Sequence, residues 1–260
     1  PVHQDRRAAR VGVSRRERDP ERGVDDGVGR RRPEHREHDL VVTAGTQQAL
    51  DLLARILVTP GKTVVAVEDP GYPPVRAVFA AAGARVVPVP VDEQGIVVER
   101  IPADAKVVYV TPSHQFPLGC VMSMARRAAL LAFARENGAV ILEDDYDGEF
   151  RFGERPLDAL QAMDRSQSVF YLGTFSKSLF PALRLGFVAA PGWALSALAA
   201  AKQCADGQCP QPTQDALAAF IHEGHLARHV RKMREVYGQR RQHLLALIDE
   251  HFNGLLAPVA

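Results

Sequence analysis

The sequence predicts an α/β fold: a mostly parallel sheet with helices on both faces. Three observations carry that expectation. From Leu40 onward, short β-branched runs alternate with Ala/Leu-rich stretches of helical period. Polar residues gather where those runs end, which is where ligands sit on open parallel sheets. With 260 residues, 46% hydrophobic and 24% charged, the composition is that of an ordinary globular chain with one large domain or two modest ones.

The elements follow in order. Val41–Thr43 is a β-branched run, and Gly45 separates it from a helix over Gln47–Leu57. That helix has an apolar stripe of Ala49, Leu50, Leu53, Ile56 and Leu57. Thr63–Val67 is a buried strand between Pro60-Gly61 and Asp69-Pro70. A helix over Val75–Ala82 precedes a strand at Arg85–Val89, and another strand spans Lys106–Thr111. The helix Ala125–Glu136 stops at Asn137-Gly138. Ala139–Leu142, Val169–Leu172 and Leu185–Ala190 are strands. Trp193–Lys202 and a long amphipathic run over Leu226–His251 are helices. The longest uncharged stretch, Leu185–Ala201, is broken by Pro191-Gly192 and reads as strand, turn and helix rather than a membrane span.

Charge divides the chain. The net +1 comes from 32 Lys+Arg against 31 Asp+Glu. Residues 1–39 hold 11 Arg and 9 acids, with no Leu, Ile, Phe, Met, Tyr or Trp. Such a segment cannot build a core. Disorder, or a shifted reading frame, is expected of 1–39, and a globular domain of 40–260. A nucleic-acid-binding arm is a weaker reading, because the acids dilute the arginines. Cys120, Cys204 and Cys209 are too few for a disulfide framework, and no apolar leader is visible. Free thiols in a reducing cytoplasm are the expectation.

Five strand ends carry candidate chemistry. Lys177 follows a strand in Gly173-Thr174-Phe175-Ser176-Lys177. Buried at that depth it would lose solvation, and its neutral amine would become accessible to a carbonyl. Gly45-Thr46-Gln47 opens a helix and offers backbone N–H groups to an anion. Arg184 supplies forked donors, and Thr174 and Ser176 supply hydroxyls. Glu143-Asp144-Asp145-Tyr146-Asp147 ends another strand. Those acids fit a solvated loop, a metal site, or an Asp facing a heteroaromatic nitrogen that it keeps protonated. A lysine, an Asp, a phosphate cradle and the aromatic Tyr72 together point to pyridoxal 5′-phosphate. His222-Glu223-Gly224-His225 lacks the spacing of a zinc helix, and no metal is expected.

These words resemble the fold type I, class I/II aminotransferases, and in particular the aminotransferase-like domain of MocR/GabR-type regulators of the GntR family. The resemblance is carried by Val42–Leu50, Glu68-Asp69-Pro70-Gly71-Tyr72-Pro73, Thr111–Gly119, Glu143–Phe150, Tyr171–Ser178 and Pro181–Gly186. It implies a cofactor-binding large domain over 40–260 that ends in the interdomain helix, with the small C-terminal domain missing. It implies that Lys177 forms the internal aldimine, Asp144 pairs with the pyridinium nitrogen and Tyr146 bonds the ring 3′-oxygen. Tyr72 would stack on the ring. Arg184, Thr174 and Gly45-Thr46-Gln47 would hold the phosphate, with Ser176 beside them. Ordinary aminotransferases carry Asn-Pro-Thr-Gly where this chain has Phe116-Pro117-Leu118-Gly119, so the Asn contact is lost and His114 or Gln115 is the expected substitute.

The function implied is sensing of an amine or amino acid through aldimine exchange, in a homodimer. DNA contact would belong to a winged-helix domain, of which this chain shows no pattern. A plain aminotransferase and a nonfunctional fragment are the alternatives.

Overall fold

A computed structural model describes residues 40–150, 158–252 and 254–256. The segment 1–39, expected to be disordered, lies outside the described residues.

Eight strands form one sheet: β1 (Leu40–Thr43), β2 (Val64–Asp69), β3 (Arg85–Asp92), β4 (Gly95–Ile96), β5 (Ala105–Val110), β6 (Val140–Asp145), β7 (Val169–Thr174) and β8 (Gly186–Ala189). Their order is β1-β8-β7-β6-β5-β2-β3-β4. The run from β7 through β6, β5 and β2 to β3 is parallel, as expected. Both flanks are antiparallel: β8 against β7 and β1, and β4 against β3. Strand direction is not written in an apolar run, and only the path of the connections decides it.

The helices are α1 (Thr46–Leu57), α2 (Pro73–Ala81), α3 (Met124–Asn137), α4 (Leu160–Met163), α5 (Leu195–Asp206), α6 (Gln211–His222) and α7 (His225–Phe252). The short α4 and the whole of α6 are not expected from the sequence. Gly138 is left-handed at the end of α3, as its Asn-Gly stop predicts. Gly224, at φ 73°, separates α6 from α7, so His222 and His225 do not share one helical face.

Strand alternation splits the core into two layers. Val65, Val67, Val107, Tyr109, Leu142, Phe170 and Leu172 pack on one face with α1, α2 and α5. Val64, Ala66, Val108, Val110, Ile141 and Val169 pack on the other with Leu130 and Ala134 of α3. On α1, Leu50, Leu52 and Leu53 are fully buried, while Ile56 and Leu57, expected on the stripe, are only partly covered. The helix is enclosed by the sheet, α2 and α5, so its buried arc is wider than a two-layer packing requires. Each fully buried Leu contributes roughly 2 kcal/mol.

Candidate active site

A pocket of about 290 Å³ opens where β2, β5, β6 and β7 end and α1 begins. Thr46, Gln47, Tyr72, Asp144, Tyr146, Thr174, Ser176, Lys177 and Arg184 all line it. Gly45 stands immediately behind. It has φ 81° and ψ 176°, a backbone region that side chains avoid. A Cβ there would come within 2.7 Å of Arg184 Nη2. The missing side chain is what lets the guanidinium cross to the Ala44 carbonyl, to which it donates at 2.7 Å.

The α1 turn is an anion cradle by construction. The first N–H groups of a helix have no intrahelical acceptor, and no acidic residue occupies the first turn of α1. Arg184 itself is left-handed (φ 49°, ψ 44°), which costs a non-glycine residue about 1 kcal/mol or more. Behind the cradle, the buried Lys202 of α5 donates to Gln48 Oε1 at 2.9 Å and to Asp206 at 2.6 and 2.7 Å. Gln48 Oε1 also accepts the Ala44 N–H at 2.8 Å, so α5 helps fix the residue whose carbonyl Arg184 holds.

The acidic run is sorted by strand period. Asp144 projects toward the pocket with Tyr109, whose hydroxyl donates to Asp144 Oδ2 at 2.7 Å. Burial pushes the Asp144 carboxyl up to about 7, with the Tyr109 bond opposing and the Asp145 and Asp147 charges adding to the rise. Its Oδ1 is buried and has no hydrogen-bond partner among the described residues. Glu143 points to the opposite face. It accepts the N–H groups of Leu160 and Gln161 at 2.9 and 3.0 Å and lies 3.9 Å from the buried Arg127. Asp145 accepts the Tyr171 hydroxyl at 2.7 Å. Among the described residues no group of His, Cys, Asp and Glu side chains gathers in a metal-holding arrangement.

Two expectations are corrected. Lys177 is exposed, not deep: β7 ends at Thr174, and an open turn carries Lys177 outward to the pocket rim. Neither His114 nor Gln115 lines the pocket in place of the lost Asn. His114 Nδ1 contacts Asp147 Oδ2 at 2.5 Å, and Gln115 is buried in a loop network. Phe116 faces the pocket instead, edge-on to Tyr72 and Tyr146 with centroids 5.9 and 6.3 Å apart.

Residues 28–256 match the aminotransferase class I and II family. The chain belongs to that family. Membership implies pyridoxal phosphate as the family's cofactor. Among this family chain's relatives is the probable rhizopine catabolism regulatory protein MocR of Rhizobium meliloti, 42% identical over 82% of this chain and 43% of that protein. Another is the HTH-type transcriptional regulator TauR of Rhodobacter capsulatus, 39% identical over 84% of this chain and 44% of that protein. The chain thus spans less than half of either regulator. The crystal structure of the Pyrococcus horikoshii kynurenine aminotransferase in complex with PMP superposes with a TM-score of 0.79. It is 32% identical, over 84% of this chain and 57% of that one.

The residues present fit such a cofactor. The buried Asp144 Oδ1 lacks a partner, and the bare Gly45 lets the Arg184 guanidinium lie against the α1 turn, where a Cβ would collide with it. Tyr109, Thr111, Phe116 and Pro181 complete the lining without having been singled out as site residues from the sequence. Alternation along β5 puts Tyr109 on the face of Val107 and marks it as core, and only β6 alongside brings it to Asp144. No helix among the described residues is long and apolar enough to cross a membrane.

Proposed function

We propose that this chain is the pyridoxal-phosphate-binding, aminotransferase-like part of a MocR-type transcriptional regulator, reading an amine or amino acid at this pocket. One observation carries the cofactor half: nine residues chosen from separate strand ends converge on one pocket around a buried, half-satisfied carboxyl. The regulator half rests on the identity to MocR and TauR. A homodimer, and DNA contact through another part of the whole protein, belong to the same proposal. So does the division of the chain at residue 40.

When bound, pyridoxal phosphate supplies an aldehyde carbon for an amine and a ring that withdraws electrons from it. The chain's own groups then have defined work. The α1 N–H groups, Thr174, Ser176 and Arg184 hold the phosphate. Asp144 Oδ1 would be the partner for a cationic ring nitrogen, and such a charge would draw its proton affinity back down from about 7. Tyr146 would offer its hydroxyl to the ring oxygen. Burial raises the Tyr146 pKa, so the hydroxyl keeps its proton and donates. Tyr72 and Phe116 form aromatic walls. Lys177 would supply the amine that holds the cofactor, and its Nζ would be the group placed to move a proton.

The test is borohydride reduction of the protein incubated with pyridoxal phosphate, followed by peptide mapping. A pyridoxyl group on Lys177 is expected, and its absence sinks the cofactor reading. A second reading, a working aminotransferase, is favoured by the likeness to the kynurenine enzyme. Steady 2-oxo acid formation from a panel of amino donors would select it over sensing.

A further inference from the structure

We propose that Glu68 is a positioning residue for the aromatic wall of the pocket, clamping the loop that bears Tyr72 to the loop that bears Phe116. Its consequence for cofactor binding rests on the function proposed above, but the clamp itself belongs to the protein without cofactor.

Glu68 does not line the pocket. Along β2 it alternates with Val65 and Val67, so it falls on the face of Val64 and Ala66. It is 1% exposed, and burial pushes its carboxyl up to about 7. An acid in that position is costly unless its bonds return something. Its Oε2 accepts the Thr111 hydroxyl at 2.7 Å, the Thr111 N–H at 3.2 Å and Gln115 Nε2 at 3.3 Å.

Those two partners carry the connection onward. The Thr111 hydroxyl oxygen accepts the Phe116 N–H at 3.0 Å. Gln115 Nε2 also donates to the Pro70 carbonyl at 2.9 Å and the Phe116 carbonyl at 2.7 Å, and Gln115 Oε1 accepts the Leu118 N–H at 3.0 Å. One buried amide therefore bonds both loops, its two hydrogens serving the Pro70 and Phe116 carbonyls with Glu68 Oε2 alongside at 3.3 Å, while Glu68 grips the Phe116 loop chiefly through Thr111. Gly71 seals the junction, because a Cβ there would meet the Glu68 carbonyl oxygen at 2.3 Å. The visible product is the edge-on contact of Tyr72 and Phe116 at an interplanar angle of 88°. The clamp needs acceptor oxygen, not charge, so glutamine should serve in its place.

The test uses hydrogen exchange of the protein without cofactor, then titration with pyridoxal phosphate. In Glu68→Ala, the Phe116 and Leu118 amides should exchange about tenfold faster, while residues 140–145 of β6 keep wild-type protection. Affinity for pyridoxal phosphate should fall about tenfold. Glu68→Gln should match wild type in both. Unchanged exchange in Glu68→Ala, or equal loss in Glu68→Ala and Glu68→Gln, overturns the clamp. If Glu68→Ala loosens the whole sheet, Gln115→Ala decides: the Phe116 and Leu118 amides must again exchange faster with β6 protected, and wild-type exchange there refutes the proposal. If wild type takes up no pyridoxal phosphate while the exchange pattern holds, the cofactor reading fails and the clamp stands.

Discussion

Tyr109 and Asp144 meet across β5 and β6 beneath the pocket, the phenol donating to the carboxylate at 2.7 Å. Both are buried, and the bond opposes the upward push that burial gives the carboxyl. Tyr109→Phe keeps the ring and removes the donor. Stability should drop by about 1–3 kcal/mol at pH 8, where an ionised Asp144 loses its partner, and by less at pH 5. Denaturant unfolding at the two pH values measures this. Equal losses would mean that the hydroxyl contributes no bond to the charged form.

Three buried carboxyls set the pH dependence. Asp144 rises from 3.8 to about 7, and Glu68 and Glu143 rise from 4.5 to about 7. Each holds its proton more tightly folded than unfolded, so its contribution is full below the unfolded value and is lost as pH climbs through about 7. The lowered Asp92 and Asp206 act oppositely, but only in acid below about pH 4. The melting temperature without cofactor should therefore fall from pH 5 to pH 8. Asp144→Asn should flatten that slope. A rising profile would contradict the assignment.

Gly45→Ala combines backbone strain with a collision against Arg184. We expect a loss of about 1–3 kcal/mol in chemical denaturation. Pyridoxal phosphate should also bind more weakly, because the displaced guanidinium leaves the cradle. Wild-type affinity in this variant would remove Arg184 from the phosphate site.

Lys177→Ala separates function from folding. The side chain is exposed and outside both core layers, so stability should stay within about 0.5 kcal/mol of wild type. The borohydride-trapped pyridoxyl group should vanish. Persistence of the label at another lysine would refute the assigned attachment.

Lys202→Met tests the support behind α1. It strips a buried ammonium from Asp206 and Gln48, and should cost about 2 kcal/mol with Asp206 still partly exposed. Adding Asp206→Asn should return part of that loss in a double-mutant cycle. Strictly additive losses would show that the pair is not coupled.

Much of the site was legible because its signals are local. Gly45-Thr46-Gln47, Asp144, Tyr146, Thr174 and Arg184 each sit in a short word beside an apolar run. The parallel centre of the sheet was legible from the alternation of strands and helices along the chain, which implies crossover connections. What escaped was relational. Tyr109 reads as one more apolar residue of β5 until β6 lies beside it, and Glu68 is only the first letter of the Glu68–Pro73 word until Thr111 and Gln115 close over it. Lys177 was placed too deep because the sequence shows that a strand precedes it, not how far the turn carries it.

The sequence by itself determined the α/β class, the sheet-end location of the chemistry and most of the residues that meet there. Periodicity and turn residues are properties of a few consecutive positions, so one chain suffices to read them. Only the tertiary structure decided which strands adjoin, which edges run antiparallel, and which carboxyls are buried beside which donors. Those outcomes depend on partners 35 to 47 residues apart, such as Asp144 with Tyr109 and Glu68 with Gln115. The environment that sets a carboxyl's charge is built by neighbours in space, and sequence spacing does not encode it.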